Sequence, residues 1–141
     1  MIKYLLLIAT CFASANILAQ KPDNWTSEQL MDPALLANAI TADTGLPVII
    51  CVGPGASIPH SINVGPTKEK TAVTKLKKEL SKLPKDAKVL VYCGCCPFKD
   101  CPNVRPAIDA LKAMNFTNYF LLDIPNNLKK DWIDKGYPVS N

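Results

Sequence analysis

The sequence is short of histidine, of long apolar runs, of repeats and of aromatic residues in its most basic stretch, and each shortage excludes something. A single histidine among 141 residues cannot build a histidine-based metal centre. His60 sits in the loop "GPGASIPHSINVGP" and reads as a surface residue, with a ligand role as the alternative. No repeat, low-complexity tract or long linker is present, which points to one domain of ordinary size. The longest apolar stretch, near the N-terminus, is broken by Thr10, Ser14 and Asn16, whereas a membrane helix needs roughly 20 apolar residues. Its layout is instead that of a secretory signal peptide: Lys3, an apolar core, and a small residue at Ala19 with Ile17 two positions before it. Cleavage is expected between Ala19 and Gln20, leaving a domain over residues 20–141 that is periplasmic or secreted and free of the membrane. A lipid anchor on Cys11 is disfavoured, because Thr10 precedes it and the apolar run continues past it.

The remaining 122 residues are enough to bury a real core. Positive charge concentrates in "TKEKTAVTKLKKELSKLPKDAK". Val73, Leu76, Leu80 and Leu83 recur there as one helical stripe, so a basic amphipathic helix is expected over 67–83, with its lysines on a solvated face. No aromatic residue interleaves the lysines, and nucleic acid is therefore not an expected partner.

Elsewhere, Thr26 and Gln29 stand at capping-box spacing, and Asp32-Pro33 can start a second short helix. "LPVIICV", "AKVLVY" and "YFLL" are continuously apolar, as strands buried on both faces are. A short strand fits Ile62 to Val64, a helix fits about 103–114, and "NNLKKDWIDKGYPV" closes with a short helix. Strands alternating with helices imply an α/β fold: a central parallel sheet of four to five strands with helices on both faces. Such sheets bind ligands at the carboxyl ends of their strands, and Cys51 and Cys93 both stand at such ends.

Cysteine is what the chain has in excess. Five cysteines follow position 19: Cys51, Cys93, Cys95, Cys96 and Cys101. Four of them crowd "YCGCCPFKDCPN", between a strand and a helix. An exported chain favours disulfides, with Cys96–Cys101 as one candidate bridge, and an odd count leaves at least one thiol unpaired. The Cys-x-Cys-Cys-x4-Cys array also has enough ligands for zinc or another thiophilic metal, with Cys51, Cys95, Cys96 and Cys101 as candidate ligands. It lacks two separate Cys-x2-Cys units, so no metal is assigned and no cofactor is expected. The third reading is a reactive thiolate. Cys93 precedes a helix whose first amides can lower its pKa, and Lys99 and Arg105 can add positive charge. A buried, inert Cys93 at a strand end is the plain alternative.

In order along the chain, "WTSEQL", "VIICVGP", "IPHSINV", "VLVYCG", "LKAMNFTNYFLL" and "WIDKGYPV" resemble the successive motifs of a rhodanese-like domain, the fold of single-domain sulfurtransferases. The resemblance covers nearly all of residues 20–141. It implies that Cys93 is the catalytic nucleophile, carrying sulfane sulfur as a persulfide from a small sulfur-containing donor to a thiol or cyanide acceptor. Gly94, Cys95, Cys96, Lys99, Cys101 and Asn103 then form the active-site loop, and Cys51 or Cys95 is a candidate resolving thiol. The departures are specific. Cys51 and Gly53 replace the family's Asp and Arg, Asn115 takes a Gly position, and Asn126-Asn127 replace Gly-Gly, where a left-handed backbone is expected of them. The loop is several residues longer than usual and contains Pro97 and Pro102, which remove two N–H donors. Phosphatases on this fold use Cys-x5-Arg. The sixth residue after Cys93 is Lys99, which has no guanidinium fork for phosphate, so ester hydrolysis is not expected. A non-catalytic metal-binding or sensor module and a thiol–disulfide redox protein remain the alternatives to a sulfurtransferase.

Overall fold

A computed structural model describes residues 25–140. The expected signal peptide over 1–19 lies outside them. The described chain forms five strands: β1 (Leu30–Met31), β2 (Val48–Cys51), β3 (Ile62–Asn63), β4 (Val89–Tyr92) and β5 (Tyr119–Leu122). Four α-helices accompany them: α1 (Pro33–Ala42), α2 (Lys70–Leu80), α3 (Val104–Ala113) and α4 (Leu128–Asp131). All pairings are parallel, in the order β1-β5-β4-β2-β3. No helix among the described residues is long and apolar enough to cross a membrane.

Strand side chains alternate between faces, and here both faces are covered. Ile50, Val89, Val91 and Leu121 join Leu76 and Leu80 of α2 and Val104, Ala107, Ile108 and Leu111 of α3. Ile49, Cys51, Leu90, Tyr92 and Leu122 join Leu36 of α1, Leu128 of α4 and Trp132. This accounts for the unbroken apolar strands. The basic helix is confirmed in a shorter form: Ala72, Leu76 and Leu80 are buried, while Val73 and Leu83 are only partly so.

Two local features differ from expectation. β1 was not expected, since two residues carry no periodicity. It exists through its pairing, with Leu30 beside Leu121 and Met31 beside Leu122. The helix begun by Asp32-Pro33 is not short but runs ten residues, its first turn capped by the Asp32 carboxylate, which accepts the Ala34 N–H at 2.6 Å.

The left-handed positions are also partly redistributed. Asn115 takes φ 62°, as its place in the resemblance requires, and His60 takes φ 63° in an exposed turn. Asn126 and Asn127 do not, which corrects the expectation for them. Asn127 is extended, at φ −172°. The Asp131 carboxylate holds this turn instead, accepting the backbone N–H groups of Asn126 at 2.7 Å and Asn127 at 3.1 Å.

Candidate functional site

Cys93 is the first residue after β4 and lies at the carboxyl edge of the sheet. Its parity is that of Val91, so its side chain joins the α2/α3 face, where it is buried. From there the chain loops out through Gly94, exposed Cys95 and half-buried Cys96. It returns through a 3-10 turn at Phe98–Asp100. Phe98 is buried in the core, and this anchor brings Cys101 back, also buried, beside Cys93. The sulfurs of Cys93, Cys95, Cys96 and Cys101 all lie within 4.8 Å of one another. Cys93 and Cys95 are 3.4 Å apart, and Cys95 and Cys96 3.3 Å. All are free thiols, so the bridge expected between Cys96 and Cys101 is not formed. The two close contacts are well beyond the roughly 2.05 Å of an S–S bond.

The loop is held at three points. Leu128 packs against Gly94 so closely that a Cβ there would meet the Leu128 Cβ at 2.9 Å, and the Leu128 N–H donates to the Gly94 carbonyl at 3.0 Å. Gly53, just past the end of the neighbouring strand, makes room for Cys93, since a Cβ at that position would lie 2.9 Å from the Cys93 Sγ. The third hold is Asn103, which is buried and uses its whole side chain. Its Oδ1 accepts the Lys68 N–H at 3.1 Å, and its Nδ2 donates to the Cys93 sulfur at 3.5 Å. Its carbonyl accepts a hydrogen bond from the buried Thr67 hydroxyl.

These donors determine the electrostatics. The Cys93 thiol is held down to about 5. The largest cause is a hydrogen bond from the Cys101 thiol, and the Cys95 backbone N–H, the Asn103 carboxamide and the Cys95 thiol add to it against the opposing effect of burial. Each hydrogen bond to the charged form favours that form. Cys101 is pushed the other way, chiefly by donating to Cys93. Cys95 is pushed up to about 12 by partial desolvation and by its hydrogen bonds to Cys96 and Cys93. The Cys101 and Cys95 thiols thus act as donors that favour the thiolate form of Cys93. The main lowering contributions come from neutral donors. Lys99, proposed from the sequence as a cation for this site, lies exposed on the 3-10 turn.

Cys51, a candidate ligand from the sequence, is not among the four clustered sulfurs. β2 pairs with β4 so that Cys51 is level with Tyr92, one residue short of Cys93. One residue of offset sends a strand side chain to the opposite face. Cys51 is fully buried in the α1/α4 core, its thiol donates to the Gly55 carbonyl at 3.1 Å, and burial pushes its pKa up. His60 is likewise outside the cluster. Of the two candidate resolving thiols, only Cys95 is in contact with Cys93. Tyr92 and Thr67 were not singled out by the sequence. The Tyr92 hydroxyl accepts the backbone N–H groups of Ser57 and Ile58, both at 3.3 Å, and lies 3.0 Å from the Ser61 hydroxyl. It thereby pins the loop after β2.

No protein-family model and no curated protein matches the sequence. Solved structures do match the fold. A crystal structure of a Bacillus halodurans protein aligns with a TM-score of 0.60 at 17% identity, covering 81% of this chain and 77% of its own. The rhodanese-like domain of an Anabaena protein aligns with a TM-score of 0.55 at 15% identity, covering 80% and 79%. A rhodanese-related protein from Thermoplasma volcanium aligns with a TM-score of 0.52 at 21% identity, covering 79% and 97%. The fold is rhodanese-like. Cys93 directly follows β4, and the chain from there to α3 is the cysteine-rich loop.

The geometry makes a pH prediction. In reduced, metal-free protein, one cysteine should alkylate far ahead of the others, and peptide mapping should identify it as Cys93. A depressed pKa means the thiolate persists above the midpoint and is lost below it. The rate should therefore be flat from pH 7 down to about 6 and fall as pH drops through about 5. Asn103→Asp removes the Nδ2–H donor and sets a carboxylate beside the sulfur, so the midpoint should rise by at least about one pH unit. A midpoint identical in wild type and Asn103→Asp would remove Asn103 from the site.

Proposed function

We propose that this rhodanese-like domain is a sulfurtransferase that carries sulfane sulfur on Cys93. The observation that supports this most directly is the Cys93 sulfur at the carboxyl end of β4, with Asn103 Nδ2 at 3.5 Å and the Cys95 and Cys101 thiols beside it as donors that lower its pKa. In the proposed reaction the Cys93 thiolate attacks the outer sulfur of a small donor such as thiosulfate. A bond forms between Cys93 Sγ and that sulfur, the donor's S–S bond breaks, and sulfite leaves with the electron pair. A thiolate or cyanide then attacks the outer sulfur of the persulfide. Thiocyanate or a new persulfide leaves, and the Cys93 thiolate is regenerated. Cys101 and Cys95 remain protonated in this scheme and stabilise the leaving Cys93 thiolate by donating S–H hydrogen bonds to it.

The test is direct. Reduced, chelator-treated protein incubated with thiosulfate should gain the mass of one sulfur atom, located on Cys93, and should lose it on addition of cyanide with release of thiocyanate. Absence of the adduct with thiosulfate and with small persulfide donors would overturn the reading.

We also propose that the chain is exported and acts in the periplasm or outside the cell, because residues 1–19 have signal-peptide layout. The product recovered from its native host should begin at Gln20, free or cyclised. Recovery of chains that retain Met1 would overturn export by cleavage.

A further inference from the structure

We infer that Cys93, Cys95, Cys96 and Cys101 form a four-thiolate site for a single soft divalent or monovalent metal ion, with zinc as the reference ion. The site shares its central ligand with the sulfur-carrying thiolate. Binding of metal and transfer of sulfur are then mutually exclusive states of one loop.

The argument begins with the dimensions. Zinc held by four thiolates at about 2.3 Å has sulfurs at the corners of a tetrahedron with edges of about 3.8 Å. Here the four sulfurs are mutually within 4.8 Å, and the two contacts at 3.3 and 3.4 Å bracket that edge from below. Sulfur-only ligation also selects the class of ion, because thiolates favour zinc and cuprous ions over magnesium or calcium.

The loop is built to hold that arrangement. Pro97 and Pro102 each fix a backbone φ angle beside the cluster. Phe98 is anchored in the core between Cys96 and Cys101. Leu128 clamps Gly94. The site also has the outer hydrogen bonds that metal-bound thiolates need. The Cys95 N–H and Asn103 Nδ2 donate to Cys93, and the Asn103 N–H donates to Cys101. Cys51 is excluded by the pleat of the sheet, and His60 lies exposed outside the cluster. The ligand set is therefore four cysteines and nothing else among the described residues.

Occupancy has a chemical consequence. Each ligating thiol releases its proton on binding, and the Cys93 lone pair that would attack a sulfur donor is donated to the metal instead. Cys95 is exposed at the rim, which gives the ion an entry path.

The experiment uses the full chain from residue 20, reduced with a phosphine and stripped with a chelator. Titration with Co2+ should saturate at one equivalent with the intense visible bands of a tetrahedral thiolate site, and Zn2+ should displace it. Cys96→Ser and Cys101→Ser should each weaken Co2+ binding by at least about tenfold. Cys51→Ala should bind as wild type does. Zinc-loaded protein should take up no sulfur from thiosulfate, and chelation should restore uptake.

A folded chain that gives only the weak spectrum of octahedral Co2+, or Cys96 and Cys101 variants that bind as tightly as wild type, would overturn the site. Measurable sulfur uptake that is equal with and without zinc would overturn the shared ligand. The metal site stands apart from the sulfurtransferase reading, on which only the mutual exclusion rests: a chelated protein that binds cobalt as described but never accepts sulfur refutes that reading and leaves the four-cysteine site standing.

Discussion

Cys93→Ser should abolish sulfur transfer from thiosulfate to cyanide, by at least about a thousandfold in kcat/KM, because the group that forms the covalent intermediate is gone. A serine hydroxyl is similar in size and can occupy the space left by Gly53, so folding should be preserved and the loss is chemical. Its oxygen stays protonated at neutral pH, and the donors that stabilise a thiolate have no charge to act on. Cys95→Ser and Cys101→Ser should be different in kind. Both keep Cys93, and the serine hydroxyl can still donate a hydrogen bond, so part of the activity should remain. Cys101→Ala removes the largest contribution to the low pKa. Its activity should fall most steeply on the acid side of neutrality, where the Cys93 thiolate would no longer be fully formed. The measurement is thiocyanate release by chelated protein, with circular dichroism to confirm the fold. If Cys93→Ser turned over like wild type, the nucleophile would have to be sought among the other thiols.

Trp132→Ala should be the most destabilising single change outside the loop. Trp132 is fully buried, and it is the largest side chain in that state. Its indole N–H donates to the Pro138 carbonyl at 2.7 Å, and its ring meets Tyr137 edge-on at 5.1 Å between centroids. Removing it opens a cavity in the α1/α4 core and frees the C-terminal segment, at a cost of about 3–5 kcal/mol. A loss of that size lowers the melting temperature by on the order of 10–20 °C in a domain of this length.

The effect should reach the site through a short path. The Trp132 backbone N–H donates to the Leu128 carbonyl at 3.0 Å, and Leu128 is the residue seated on Gly94. Trp132→Ala should therefore also loosen the loop, seen as faster alkylation of Cys95 and Cys96 at temperatures where the protein is still folded. Trp132→Phe keeps most of the buried ring and should lose less than half as much stability. A melting temperature within a few degrees of wild type for Trp132→Ala would show that the C-terminal turn contributes little.

Much of the architecture was legible because it is written locally. Continuous apolar strands between amphipathic stretches require a parallel sheet covered on both sides. The positions of β2, β4 and β5 follow from "VIIC", "VLVY" and "YFLL" themselves. The order of motifs points to a rhodanese-like fold, and the structural matches agree with it. β1 was invisible because its two residues become a strand only by lying beside Leu121 and Leu122. The backbone at Asn126 and Asn127 was misread for a related reason: the Asp131 carboxylate, several residues on, holds that turn by accepting their N–H groups.

The chain alone determined that several thiols would stand at a strand-to-helix turn, and that Cys93 would end a buried strand. It could not decide which thiols meet. Cys51 and Cys93 both end strands, and sequence treats them alike. The register that sets Cys51 level with Tyr92 puts them on opposite faces of one sheet, because strand side chains alternate with every residue. The same holds for the buried donors. Asn103 is legible only as a loop residue and Thr67 only as part of a polar stretch; the partners of both depend on how the loop folds back. Only then does the Asn103 carboxamide meet the Cys93 sulfur and the Cys101 thiol become the donor that holds its charge. Such contacts join residues eight to ten positions apart through a loop whose path depends on where Phe98 and Leu128 find the core.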